Sequence, residues 1–116
     1  MSSNILVVGS INMDLITVLE RFPKVGETLL GQTFTTALGG KGSNQAVAAA
    51  RLGAQVAMIG AVGDDANGDA ALKILQQEGV DCSGIAVKTG MSTGIAASLW
   101  PKATTTSSWC LVPILL

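Results

Sequence analysis

Gly39-Gly40-Lys41-Gly42-Ser43-Asn44-Gln45-Ala46-Val47-Ala48-Ala49-Ala50-Arg51-Leu52-Gly53-Ala54-Gln55-Val56-Ala57-Met58-Ile59-Gly60-Ala61 is the stretch that decides the fold class. Its glycines interrupt any regular pattern. Ser43 then opens a run of good helix formers and is the expected N-cap, with Gly53 as the expected C-cap. Val47, Ala50 and Arg51 fall at helical spacing, and the small alanine face suits close packing on a sheet. Gln55 to Ala61 is β-type again. The stretch therefore reads as loop, helix, strand.

The flanks extend this alternation. Ile5 to Val8 is a short β-branched run stopped by Gly9-Ser10, as in a buried parallel strand. Leu15 to Leu19 and Thr28 to Ala37 read as strands around a loop at Pro23 and Gly26. Beyond the turn Gly63-Asp64-Asp65, Gly68 to Glu78 reads as a second helix ended by Gly79. Ile85 to Lys88 and Thr93 to Leu99 read as strands around a turn at Gly90. Strands alternating with helices predict an α/β fold with a parallel sheet.

Composition agrees. Of 116 residues, 48% are hydrophobic and 13% charged, which excludes a disordered chain and suits one modest domain. With two Phe, two Trp and no Tyr, the core must be aliphatic. Net charge is −1, and the seven basic residues form no cluster, so no nucleic-acid partner is expected. Cys82 and Cys110 have no metal-like spacing and no His to join them; idle or buried thiols are expected rather than a disulfide. The apolar run Ile5 to Val8 is too short for a signal peptide or a membrane span, so no membrane partner and a cytoplasmic location are expected.

Three stretches carry chemistry. In open α/β sheets, ligands bind beyond the carboxyl ends of the strands. Asn12 and Asp14 lie there, and two residues apart in extended chain they point to one side. An amide beside a carboxylate suits vicinal hydroxyls; the same Asn-x-Asp also suits a plain turn. Gly39-Gly40-Lys41-Gly42 before a helix lets backbone approach a ligand, with helix N–H groups, Lys41 and Asn44 as polar contacts. It is not a P-loop, because Gly42 follows Lys41 and Thr35 stands where the first glycine belongs. Nor is it a dinucleotide fingerprint, since Gln45 takes the last glycine position. By itself it also suits an ordinary tight turn. Gly63-Asp64-Asp65 fits either a metal site or, more simply, a turn with an Asp cap for the following helix.

Taken together, Gly9-Ser-Ile-Asn-Met-Asp14, Phe22-Pro-Lys-Val-Gly-Glu-Thr28, Gly39-Gly-Lys-Gly-Ser-Asn-Gln-Ala46, Ala50-Arg-Leu-Gly53 and Ile59-Gly-Ala-Val-Gly-Asp-Asp65 resemble the ribokinase-like carbohydrate kinases in order and spacing. The resemblance runs from about Ile5 to about Leu99, and the glycine loop is more similar to the family's ribose kinases than to its fructose or adenosine kinases. It implies the N-terminal portion of a three-layer αβα sandwich, with a small β-sheet lid from about residues 15–37 and 91–99. It implies that Asn12 and Asp14 bind sugar hydroxyls, that Gly40 and Lys41 contact the sugar through the loop, and that Asn44 hydrogen-bonds it from the helix start. The implied reaction moves the γ-phosphoryl group of ATP to the 5-hydroxyl of ribose, with Mg2+ and a monovalent cation such as K+ as ions and a homodimer as the full-length assembly. The catalytic base, the ATP pocket and the ion sites belong to the family's C-terminal half, so no catalytic, nucleotide or metal residue is assigned in this chain. A kinase for another sugar or nucleoside, or a non-catalytic fragment, are the alternatives.

Residues 100–116 match nothing in that family. Pro101 argues against a lid strand there, because it removes a ladder donor. One permitted codon choice for Trp100 to Ile114, with a single guanine added in front, reads VAKGDNNIVVVPGAN: a polar turn, a Val-rich strand and Pro-Gly-Ala-Asn. The expectation is an aberrant tail produced by one missing base after the Leu99 codon, in the gene or in its sequencing.

Overall fold

The computed structural model describes residues 4–102 and the backbone of 111–112. Its elements are β1 (Asn4–Val8), β2 (Asn12–Leu19), β3 (Thr33–Gly39), α1 (Lys41–Arg51), β4 (Gln55–Gly63), α2 (Ala66–Gln77), β5 (Val80–Lys88), β6 (Gly94–Pro101) and β7 (Leu111–Val112). The tail from 103 to 110 and from 113 to 116, including Cys110, lies outside the described residues.

The strand–helix alternation builds a parallel sheet in the order β1-β4-β5. Alternate residues of these strands face the helices. Val7, Val56, Met58, Val62, Val80 and Ile85 form one core with Ala46 of α1 and with Ala71 and Leu75 of α2. The alanines let each helix axis approach the sheet closely, as the aliphatic, aromatic-poor composition requires. The opposite face is bare among the described residues: Leu6, Val8 and Ile59 are 59%, 71% and 44% exposed. The architecture is thus α/β, with a helix layer described on one side of the sheet.

A second sheet has the order β3-β2-β6-β7. β2 and β3 form an antiparallel hairpin, β2 and β6 run parallel, and the short β7 pairs antiparallel with Ala97 and Ser98 of β6. The loop that closes the hairpin is held at its base by Arg21, whose guanidinium donates two hydrogen bonds to the Glu27 carboxylate at 2.6 and 2.8 Å. That pairing, with the Lys24 amide, holds the Glu27 carboxyl at about 2.

Several boundaries differ from the sequence reading. β2 begins at Asn12 rather than Leu15, because pairing with Gly39 on one side and Gly94 on the other overrides the weak strand propensity of Asn and Asp. β3 starts at Thr33, after Gly31 interrupts the run from Thr28. β5 starts at Val80, drawn into the sheet by β4 across a register shift between Ala57 and Ile59. Trp100 and Pro101, expected to fall outside any strand, complete β6; Pro101 pairs with Leu19 as the strand's last residue, a position where proline is tolerated. The Lys102 N–H then donates to the Leu19 carbonyl at 2.8 Å.

Ser43 is not a cap. α1 starts two residues earlier, with Gly40 as its N-cap. Ser43 is fully buried in the first turn, where its N–H and hydroxyl both donate to the Ser10 carbonyl, at 3.1 and 3.4 Å. An orphan donor of the helix start is thus satisfied by the turn after β1 rather than by a side-chain cap. At the other end Leu52, not Gly53, is the C-cap, and Gly53 follows it in the left-handed conformation at φ +96.

Candidate functional site

The carboxyl end of β1 and the start of α1 meet backbone to backbone. A methyl group on Gly42 would lie 2.7 Å from the Gly9 carbonyl carbon and 2.8 Å from the Ser10 nitrogen. One on Gly40 would lie 2.6 Å from the Ser10 oxygen and 3.0 Å from the Asn12 nitrogen. Gly40 also has φ +94, a conformation that side chains other than glycine resist. The glycines of the loop therefore serve packing first: they bring the N-terminal turn of α1 against the strand that carries Asn12.

Asn12 and Asp14 both belong to extended β2, so the turn reading does not hold. Each side chain lies over a glycine of a neighbouring strand. A methyl on Gly94 would fall 2.5 Å from Asn12 Oδ1, and one on Gly39 would overlap the Asp14 carboxylate, 2.7 Å from its Cγ. The amide and the carboxylate thus share one face of β2, bedded on the backbone of β6 and β3. Met13 between them points into the core and is 1% exposed.

Partial burial raises the Asp14 pKa above the ordinary carboxylate range. A raised folded-state value means that folding disfavours the ionised form, so the full stability belongs to the protonated state and part is lost as pH rises through the folded pKa. Asp14→Asn removes that loss. Its urea midpoint is expected to exceed wild type at neutral pH and to match it once pH falls below the carboxylate range; a lower midpoint at neutral pH would refute this assignment.

Lys41 is exposed at the first position of α1. Asn44 lies one turn on, also exposed, and lines a cleft of about 500 Å³ with Leu38, Val47, Ala48, Arg51, Ile74 and Glu78. Asn12 and Asp14 do not line that cleft; they lie instead against Gly39 and Gly40, where a side chain on Gly40 would begin 3.0 Å from the Asn12 nitrogen.

Gly63-Asp64-Asp65 forms the capped turn rather than a metal pair. Asp65 caps α2 by accepting from the Gly68 N–H at 2.8 Å, and Asp64 accepts from the Gly90 N–H at 3.0 Å. Among the described residues no three acidic or thiol side chains converge as metal ligands. Sequence reasoning missed Gly39 and Gly94 as the floor beneath Asp14 and Asn12. For Gly94 a signal was present: a glycine at the head of a β-forming run marks a close approach.

The ribokinase of Bacillus subtilis strain 168 is 60% identical over 77 residues, covering 66% of this chain and 26% of that protein. The ribokinase of Haemophilus influenzae is 47% identical over 96 residues, covering 83% of this chain and 31% of that protein. A solved structure of Arabidopsis thaliana ribokinase, complexed with ribose and ATP, superposes with a TM-score of 0.81 at 32% identity, covering 97% of this chain and 36% of that one. The chain thus spans between a quarter and about a third of the length of these relatives. A model of the pfkB family carbohydrate kinases matches residues 2–107, and with a two-sheet α/β fold like that of solved ribokinases, this chain belongs to that family.

Proposed function

We propose that this chain forms the sugar-binding part of an ATP-dependent sugar kinase that transfers the γ-phosphoryl group of ATP to the 5-hydroxyl of D-ribose. One observation carries the reading: Asn12 and Asp14 sit side by side on one face of β2, seated on Gly94 and Gly39, next to the glycine loop that opens α1. In this reading the Asp14 carboxylate accepts hydrogen bonds from sugar hydroxyls, the Asn12 amide donates and accepts, and the Gly40 backbone and Lys41 close the site from the helix start. Asn44, on the first turn of α1, is proposed as a further sugar contact from the helix start. In this reading ATP, Mg2+ and K+ belong to the family's C-terminal half, and no residue of 1–116 is assigned to them. Phosphoryl transfer rests on positioning and charge stabilisation, so a chain that holds only the sugar contributes selection and orientation. As a second proposal, residues 100–116 are read one base out of frame.

Ribose titration of the purified 15N-labelled chain tests the sugar site. Saturable shifts are expected at the Asn12 side-chain amide and at Gly40, and not in α2. In Asp14→Ala, sugar hydroxyls lose a half-buried, charged acceptor, so affinity is expected to fall by about 1–3 kcal/mol. Absence of any ribose-dependent shift in the wild-type chain sinks the reading. Equal shifts with a hexose would redirect it to another sugar.

A further inference from the structure

The start of β6 is fastened more elaborately than helix capping requires. Thr93, which immediately precedes Gly94, is 3% exposed. Its hydroxyl donates to Asp65 Oδ1 at 2.6 Å, its N–H donates to Asp65 Oδ2 at 2.9 Å, and its hydroxyl oxygen accepts from the Gly63 N–H at 2.9 Å. Asp65 Oδ1 also accepts from the Gly68 N–H. Capping of α2 needs only that last bond. The rest tie three places together: the end of β4, the first turn of α2 and the first residue before β6. Glycines make the join tight, because a methyl on Gly63 would lie 2.7 Å from the Thr93 nitrogen and one on Gly68 2.9 Å from its hydroxyl oxygen.

The clasp ends one residue from the floor of the candidate site. Gly94 pairs with Asn12 in the β2–β6 register, and Asn12 Oδ1 rests where a Gly94 side chain would begin. We propose that Asp65 and Thr93 are positioning residues: they fix Gly94, and through it the Asn12 amide, relative to the parallel sheet. The structural half of this claim stands on the geometry alone, and its consequence for ligand affinity rests on the sugar-binding reading above. Two of the bonds run to a carboxylate, and charge-assisted bonds are the stronger kind. The Thr93 hydroxyl and amide, with the Gly68 amide, hold the Asp65 carboxyl below its ordinary range. The clasp therefore stays ionised and intact throughout the neutral range.

Thr93→Val keeps the side-chain shape and deletes the hydroxyl; Thr93→Ser keeps the hydroxyl. In 15N spectra of the full 116-residue chain, Thr93→Val is expected to move the Asn12 side-chain amide and Gly94 signals while those of β1 and α1 stay in place. Its dissociation constant for ribose is expected to rise about tenfold, since small misplacements at a binding site cost large factors, and Thr93→Ser is expected to stay within about twofold of wild type. A purely structural role would lower the denaturation midpoint of Thr93→Val without moving Asn12. Unmoved Asn12 and Gly94 signals, or unchanged ribose affinity in a chain that binds ribose, overturn the proposal. If wild type shows no response to ribose while Thr93→Val still moves Asn12 and Gly94, the clasp is upheld and the sugar reading falls. Should Thr93→Val fail to fold, Asp65→Asn keeps an acceptor for Gly68, loses the second carboxylate oxygen, and is read in the same way.

Discussion

Purified 1–116, supplied with Mg-ATP and ribose, is expected to form no ribose phosphate above the uncatalysed background. Holding two reactants in line can account for about 7–11 kcal/mol of a barrier, and only when both are held at once. This chain presents a candidate sugar site at Asn12, Asp14 and Gly40, while its two best-placed acids elsewhere, Asp64 and Asp65, are already committed to Gly90, Gly68 and Thr93. Inserting one guanine after the Leu99 codon, with the downstream gene in place, is expected to give a longer product with Mg-ATP-dependent sugar kinase activity. A coupled ADP assay reads both. Turnover by 1–116 alone refutes the division of labour, and a downstream frame that encodes no kinase sequence refutes the frame proposal.

Gly40→Val is expected to be the most damaging single substitution at the site. The residue has φ +94, which costs a β-branched side chain about 1–3 kcal/mol of backbone strain. Its Cβ would also stand 2.6 Å from the Ser10 oxygen, so the β1–β2 turn or the start of α1 must move. Overpacking of that kind adds roughly 1–3 kcal/mol. The combined loss, about 3 kcal/mol or more, is a large fraction of a small domain's stability. Gly53→Ala is the matched control. Gly53 has nearly the same φ, +96, but nothing lies within 4 Å of its would-be Cβ, so only the backbone penalty of roughly 1 kcal/mol applies. Urea unfolding followed by circular dichroism measures both. Equal midpoints for the two variants would show that crowding at Gly40 contributes nothing.

Much of this was legible in the chain itself. Helices α1 and α2 followed from runs of helix formers ended by Gly53 and Gly79, and β1 from its β-branched run. The placement of Asn12 and Asp14 on one side followed from the period of two in extended chain. The rest depended on partners far away in sequence. Whether Asn12 opens a strand or a turn is decided by Gly39 and Gly94, which pair with it from both sides. Ser43 resembled a cap because local chemistry favours one, yet the Ser10 carbonyl, 33 residues earlier, takes its donors. The strand at Asp81 to Gly84 has poor local propensity and exists because β4 lies beside it. The Asp65–Thr93 clasp spans 28 residues, and no local pattern announces it.

During synthesis, this architecture imposes an order of events. β1, β4 and β5 with α1 and α2 are complete once Lys88 has left the ribosome, and their shared core of Val7, Met58, Leu75 and Ile85 can condense from that moment. The other face of the same sheet, with Leu6, Val8 and Ile59, stays wet after that condensation. A nascent chain at this stage is packed on one side of the sheet and apolar but exposed on the other. Translation adds about 5–20 residues per second. For as long as it stays uncovered, that surface is open to self-association.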